Sequence, residues 1–286
     1  MDTLQNKKEK LESIITGMGS VAVAFSGGVD STFLLKTAHG LLGDRAVAVT
    51  ALPLSFPARE AEAAERFCRN EGIKQITVTT DEMSIEGFAQ NPPDRCYLCK
   101  RHIFTRIIDA AGKAGMSCVA DGTNAGDAGT YRPGLTALRE LGVRSPLLEA
   151  GLDKPEIRNL SEMTGIRGWD RQSVSCLYTR FAYGDTLTKE KLKMVEQAEQ
   201  RLLDLGFRRV RVRVHGNIAR IETDLSELGR LTDPEISGPL YRFMRELGFM
   251  YVTADLGGYE SGSMDRELGT LSAGNLHLEQ NSGRNH

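Results

Sequence analysis

Six residues constrain this chain more than any others. Ser26-Gly27-Gly28-Val29-Asp30-Ser31 stands directly after a short apolar run, Val21 to Phe25, and directly before a helical stretch, Ser31 to Leu42. A glycine pair at a strand-to-helix turn lets the backbone take positive φ and pass close to a ligand. The helix start behind it presents unpaired N–H groups and the positive end of a dipole, which together attract an anion. Ser26 and Ser31 add hydroxyl donors. Asp30 repels phosphate but suits Mg²⁺ held against it. The loop lacks the Lys-Ser/Thr ending of a Walker sequence, which disfavours a GTPase or kinase-type ATPase. The bland reading is a glycine turn with a Ser/Asp helix cap.

The rest of the first 180 or so residues repeats the same alternation. Leu4 to Met18 reads as an amphipathic helix, Ala46 to Ala51 as a strand, and Pro57 to Asn70 as a helix. Lys74 to Thr80 is a third strand, residues 94–114 a long helix, and Ser117 to Ala120 a fourth strand. Strands separated by helices pair in parallel through crossovers, so the expected fold is α/β with an open parallel sheet. Ligands of such sheets lie off the carboxyl ends of the strands. After Gly184 the pattern changes. Thr188 to Leu205 is a helix, and Arg208 to Val214 alternates strictly. A turn at His215-Gly216-Asn217 leads to a return strand, Ile218 to Glu222. Pro234 to Leu247 is helical and Phe249 to Ala254 is a strand. The expected organisation is a first domain over 1–184, a small antiparallel α+β domain over 185–268, and a disordered tail over 269–286.

The chain has 286 residues, 40% hydrophobic and 26% charged, within ordinary globular usage. Its formal net charge of -2 lacks the excess of basic residues that a nucleic-acid coat needs. No apolar run reaches membrane-spanning length and the N-terminus has no signal-peptide core, so a cytoplasmic location is expected.

The five cysteines, Cys68, Cys96, Cys99, Cys118 and Cys176, are an odd number for a disulfide scaffold. Cys96 and Cys99 share a helix face at i and i+3, the usual half of a metal site. Cys176 precedes the domain junction. Three thiolates can hold a 4Fe–4S cluster with one iron left open. Zinc prefers four ligands, and His102 would supply the fourth. Cys68 and Cys118 read as buried small hydrophobes.

Glu199 falls on the apolar stripe of its helix with Leu192, Val195 and Leu202. An inward carboxylate is costly unless it meets a cation or a donor network. In the next strand Val210, Val212 and Val214 face one way while Arg209, Arg211 and Arg213 face the other. Such a row is either a solvated face or a clamp that wants an anion or acidic neighbours.

The Ser-Gly-Gly-x-Asp-Ser run resembles the pyrophosphate loop of the ATP pyrophosphatase superfamily, and Asp121-Gly122-Thr123-Asn124, followed by Asp127, fits that superfamily's second nucleotide-contacting segment. The resemblance to the LarE family of ATP-dependent sulfur transferases extends further. It covers the Cys-x-x-Cys, Tyr131-Arg132-Pro133-Gly134-Leu135 and Cys176 with Thr179-Arg180-Phe181-x-Tyr183-Gly184. It also takes in Val210-Arg211-Val212-Arg213, Ile218-Ala219-Arg220-Ile221-Glu222 and Asp255-Leu256-Gly257-Gly258-Tyr259. Ala182 and Glu260 depart from the family pattern, where Pro and a basic residue are common.

This resemblance implies adenylation of a pyridinium dicarboxylate mononucleotide and sulfur insertion to give thiocarboxylates, within nickel-pincer nucleotide cofactor synthesis. The implied cofactors are ATP, Mg²⁺ and a 4Fe–4S cluster. Ser26, Gly27, Gly28, Asp30 and Ser31 would hold phosphates and metal, with Asp121, Gly122 and Asn124 on the nucleotide. Cys176 would handle sulfur, either sacrificially, becoming dehydroalanine, or on a cluster with Cys96 and Cys99. Arg211, Arg213 and Arg180 would hold the substrate phosphate, and Glu199 a metal or the substrate. A homo-oligomer supplied by sulfide or by a sulfur-donor protein is expected. The competing readings are an RNA thiolase with the same loop, and a non-catalytic nucleotide-binding Fe–S sensor.

Overall fold

The computed structural model describes residues 3–127, 133–166, 169 and 175–266. Tyr131, Arg132 and the stretch expected to be a tail, 269–286, lie outside them. The described residues of Met1–Ser84 and Asp94–Val174 form one compact unit, and those of Ile85–Pro93 and Ser175–His286 form another.

In the first unit the elements run α1 (Leu4–Gly17), β1 (Val21–Ala24), α2 (Val29–Leu42), β2 (Ala46–Leu52), α3 (Ala58–Glu71) and β3 (Gln75–Thr79). They continue through α4 (Arg95–Lys113), β4 (Cys118–Ala120), α5 (Pro133–Glu140), α6 (Pro146–Glu149) and α7 (Lys154–Met163). The four strands are all parallel in the order β3-β2-β1-β4. The sheet is covered on both faces, which is why β1, β2 and β4 read as nearly continuous apolar runs, while edge strand β3, Gln75–Thr79, alternates polar and apolar residues. Val21 and Val23 point into a core filled by α1, α2, α3 and α7. Ala22, Val47 and Val49 point into a second core with Phe104 and Ile107 of α4. Chain order makes β1 the turning point: the chain winds outward through β2 and β3, then returns to the other side of β1 as β4. A topological switch of this kind opens a crevice at the strand carboxyl ends.

The second unit holds α8 (Lys189–Asp204), β5 (Val210–His215), β6 (Ile218–Thr223), α9 (Pro234–Leu247) and β7 (Tyr251–Ala254). Its sheet has the order β5-β6-β7. The hairpin β5–β6 is antiparallel as expected. The expectation of a wholly antiparallel sheet is corrected at β7, which lies parallel to β6. The cause is α9: a helix between two neighbouring strands carries the chain back to the starting edge, so the second strand runs the same way as the first. Among the described residues no helix is long and apolar enough to cross a membrane.

Candidate functional site

The glycine loop sits where the first unit's topology opens. Gly27 has φ +72°, a left-handed conformation that favours glycine. Gly28 caps α2 with extended backbone and no side-chain capping bond, so the cap residue itself satisfies none of the helix's first N–H groups through a side chain. The serines brace the loop: Ser31 Oγ lies 3.2 Å from Ser26 Oγ and donates to Gly28 O at 3.1 Å. Gly122, after β4, packs on this turn. A Cβ there would lie 3.0 Å from Ser31 N and 3.2 Å from Ser31 Cα. Only glycine lets the β4 segment approach the loop so closely.

Asp30 is the charged centre. Its Oδ2 accepts from Asn124 Nδ2 at 3.4 Å and lies 3.6 Å from Lys154 Nζ, while its buried Oδ1 has no hydrogen-bond partner. Burial pushes the Asp30 carboxyl above its usual range. Lys154 and Asn124 pull it down, and neighbouring Asp127 pushes it up. An orphaned, hard anionic oxygen is a donor of the kind Mg²⁺ takes, so Asp30 fits that ion chemically. Asp121 is placed differently from Asp30. Thr123 Oγ1 and Ser145 Oγ donate to it at 2.5 and 2.6 Å, so it fixes the turn that carries Gly122 and Asn124.

Cys96 and Cys99 lie on the opening turns of α4, exposed and half-buried respectively. Asp94 occupies the cap position of that helix without a side-chain capping bond. Cys68 is buried, and burial pushes its thiol up to about 12. Cys118 is only half-buried, at a core margin rather than inside it, because β4 is an edge strand. None of the five cysteines, all among the described residues, is in a disulfide.

Cys176 belongs to the second unit. Its side chain is exposed while the following turn is anchored by buried Leu177, Tyr178, Arg180 and Phe181. Arg180 has no exposed surface. Nε and Nη2 form a fork on Glu199 at 2.7 and 3.0 Å. Nη1 donates to Ser175 Oγ, Thr179 Oγ1 and the carbonyl of Cys176 at 2.8, 2.8 and 3.2 Å. Arg180 thus clamps the backbone that presents the thiol. Glu199 is inward-facing, as its place on the helix stripe indicates, and meets the cation it requires. Its Oε1 also accepts from Val212 N at 2.9 Å.

Two members of the arginine row, Arg211 and Arg213, are buried rather than solvated, while Arg209 is half-exposed and pairs with Asp224 at 3.3 Å. Arg213 pairs with Glu222 through Nε and Nη2 at 3.0 and 2.9 Å and donates from Nη1 to Thr179 O at 2.9 Å. Arg211 donates to Val210 O at 2.7 Å and lies 5.3 Å from the Tyr259 ring centre. Burial and then nearby Arg180 lower its pKa, while Glu199 and Tyr259 act in the opposite direction. The second unit therefore brings Cys176, Arg180, Glu199, Arg211 and Arg213 into one neighbourhood. Among the described residues no group of three or more His, Cys, Asp and Glu side chains converges to hold a metal.

Two contributors escaped the sequence reading. Glu222 is opposite Arg211 in the β5–β6 register, and period-2 alternation along β6 would have put it on the arginine face. Lys154 has no comparable signal, because 124 positions separate it from Asp30.

No protein-family model matches the chain. It is 38% identical over 269 residues, 94% of its length and 97% of the relative's, to the pyridinium-3,5-bisthiocarboxylic acid mononucleotide synthase of Lactiplantibacillus plantarum. The chain belongs to the LarE family. This LarE-family chain is also 39% identical to an uncharacterized protein of Synechocystis, covering 93% of this chain and 99% of that one. A third relative, from Methanocaldococcus jannaschii, is 28% identical over 90% of this chain and 95% of its own length. The family relationship therefore extends across both units.

Proposed function

We propose that this protein is an ATP-dependent sulfur transferase acting on a pyridinium dicarboxylate mononucleotide in nickel-pincer nucleotide cofactor synthesis. The observation that carries the reading is the glycine loop at the β1/β4 switch point, with Asp30 Oδ1 unpartnered above it. Family membership supplies the substrate class, since the named relative makes pyridinium-3,5-bisthiocarboxylic acid mononucleotide.

A carboxylate accepts sulfur only after one oxygen becomes a leaving group. In the first step the substrate carboxylate attacks the α-phosphorus of ATP, the α–β bridging bond breaks, and acyl-adenylate and pyrophosphate form. In the second, hydrosulfide attacks the acyl carbon, AMP leaves with the original oxygen, and a proton is released to give the thiocarboxylate. Ser26, Gly27, Gly28 and Ser31 hold the phosphates and stabilise departing pyrophosphate through N–H and O–H donors. Asp30 would hold Mg²⁺ there. Gly122 and Asn124 line the nucleotide, and Asp121 positions them. Arg211 is the foremost candidate for the substrate phosphate. Arg213 and Arg180 are oriented beside it by Glu222 and Glu199. Cys176 is the sulfur-handling residue, on a backbone fixed by Arg180. The thiolates of Cys96, Cys99 and Cys176 are soft donors of the kind a 4Fe–4S cluster takes, and these three would be its ligands on this reading; the cluster would supply sulfide for the activated carbonyl.

The test is pyrophosphate release from ATP and the dicarboxylate substrate with Mg²⁺. The unsubstituted protein should release it, Asp30→Ala should lose the metal-dependent part, and Arg211→Ala should weaken substrate while sparing ATP binding. Equal release by the Asp30→Ala protein would overturn the reading.

A further inference from the structure

Lys154 is held at the crevice by a rigid platform. It opens α7, where Asp153 and Glu156 form a reciprocal capping box and Pro155 lies in the first turn. Glu156 is also fixed by Lys7, whose Nζ donates to both carboxylate oxygens at 2.7 and 2.8 Å. The backbone of Lys154 is therefore set from both directions, while its side chain is 38% exposed. Its ammonium rests 3.6 Å from Asp30 Oδ2, close to where a divalent cation on that carboxylate would stand. Like charges sharing one carboxylate repel, so metal and ammonium compete for Asp30.

We propose that Lys154 is a positioning residue that makes the site refuse bare metal and accept metal only together with nucleotide. Without nucleotide, its ammonium neutralises Asp30 and opposes a divalent cation. When Mg²⁺ arrives with ATP, the metal takes over Asp30, and the ammonium turns to the phosphate oxygens that came with it. The negative charge delivered by the nucleotide is what allows both cations to remain. This rests on the reading of residues 26–31 as a nucleotide site.

Two equilibria separate this role from a structural one. Mn²⁺ binding to the nucleotide-free protein is followed by electron paramagnetic resonance, and Mg²⁺–ATP binding by calorimetry. Lys154→Met should bind bare Mn²⁺ several-fold more tightly, and Mg²⁺–ATP roughly tenfold more weakly, the scale of one lost charge-assisted contact. Lys154→Arg should restore both toward the unsubstituted values. A purely structural lysine would weaken both together or leave both unchanged, and either result overturns the inference. If the unsubstituted protein fails to bind Mg²⁺–ATP, the nucleotide reading itself fails and the inference falls with it. Tight ATP binding with unchanged Lys154→Met equilibria would sink the inference alone.

Discussion

Individual atoms decide what this site tolerates. At Gly122 the contacts of a new Cβ are backbone atoms of Ser31, which cannot rotate away. Gly122→Ala should therefore push the loop off its geometry and weaken ATP by roughly tenfold or more, the expected scale for a misplaced binding element. Calorimetry that finds unchanged affinity would show that the approach is not needed. The cysteines divide similarly. Burial holds Cys68 protonated, with its thiol near 12, whereas Cys96 is exposed. Brief iodoacetamide treatment of the native protein at pH 8 should modify Cys96 and spare Cys68, as read by peptide mass spectrometry. Early modification of Cys68 would contradict its place in the core. The Ser26–Ser31 loop was legible because its chemistry is contiguous. The Lys154–Asp30 pair was not, since only the folded sheet edge brings the two together.

At the scale of elements, α8 and β5 depend on one buried ion pair. Glu199→Gln would leave Arg180, fully enclosed, without its countercharge. Loss of one partner of a buried pair costs about 3–5 kcal/mol. Chemical denaturation should show a loss of that order, and a change below about 1 kcal/mol would mean that the remaining donors of the pair are satisfied otherwise. A second pair links the segment beside β4 to α6, where Arg144 Nε donates to Glu149 Oε1 at 2.8 Å. The hydrogen bond from Arg144 holds the Glu149 carboxyl below its usual value. Its stabilisation should be complete above the unfolded glutamate pKa of about 4.3 and lost as pH falls through the lower folded value. Glu149→Gln should therefore be less stable than the unsubstituted protein near neutrality and equal to it in strong acid. A difference constant with pH would remove the pair from the account. The long helices and apolar strands were legible from periodicity: Pro57 to Asn70 was expected and Ala58–Glu71 is found. The direction of β7 was not, because strand period says nothing of pairing partner. Short α5, α6 and α7 were also missed, since too few turns accumulate a pattern.

Across the whole molecule, the chain leaves its first compact unit for nine residues, Ile85–Pro93, and returns before Cys96. No shift in composition marks that excursion, so it was not legible. Its cause is local: buried Asn91, at φ +51°, donates from Nδ2 to the carbonyls of Phe181 and Ala182 at 3.3 and 2.6 Å. Those contacts tie the segment before the Cys-x-x-Cys to the one after Cys176. The Ser26–Ser31 loop thus belongs to one unit, and Cys176 with Arg180, Arg211 and Arg213 to the other. The central claim is that both steps occur on this chain. The most direct measurement is product analysis by mass spectrometry after anaerobic incubation with ATP, Mg²⁺, sulfide and the dicarboxylate mononucleotide. The account predicts an oxygen-for-sulfur exchange in the nucleotide product, with AMP and pyrophosphate formed in equal amounts per sulfur transferred. ATP consumption to AMP without sulfur in the product, or sulfur incorporation without ATP, would contradict it.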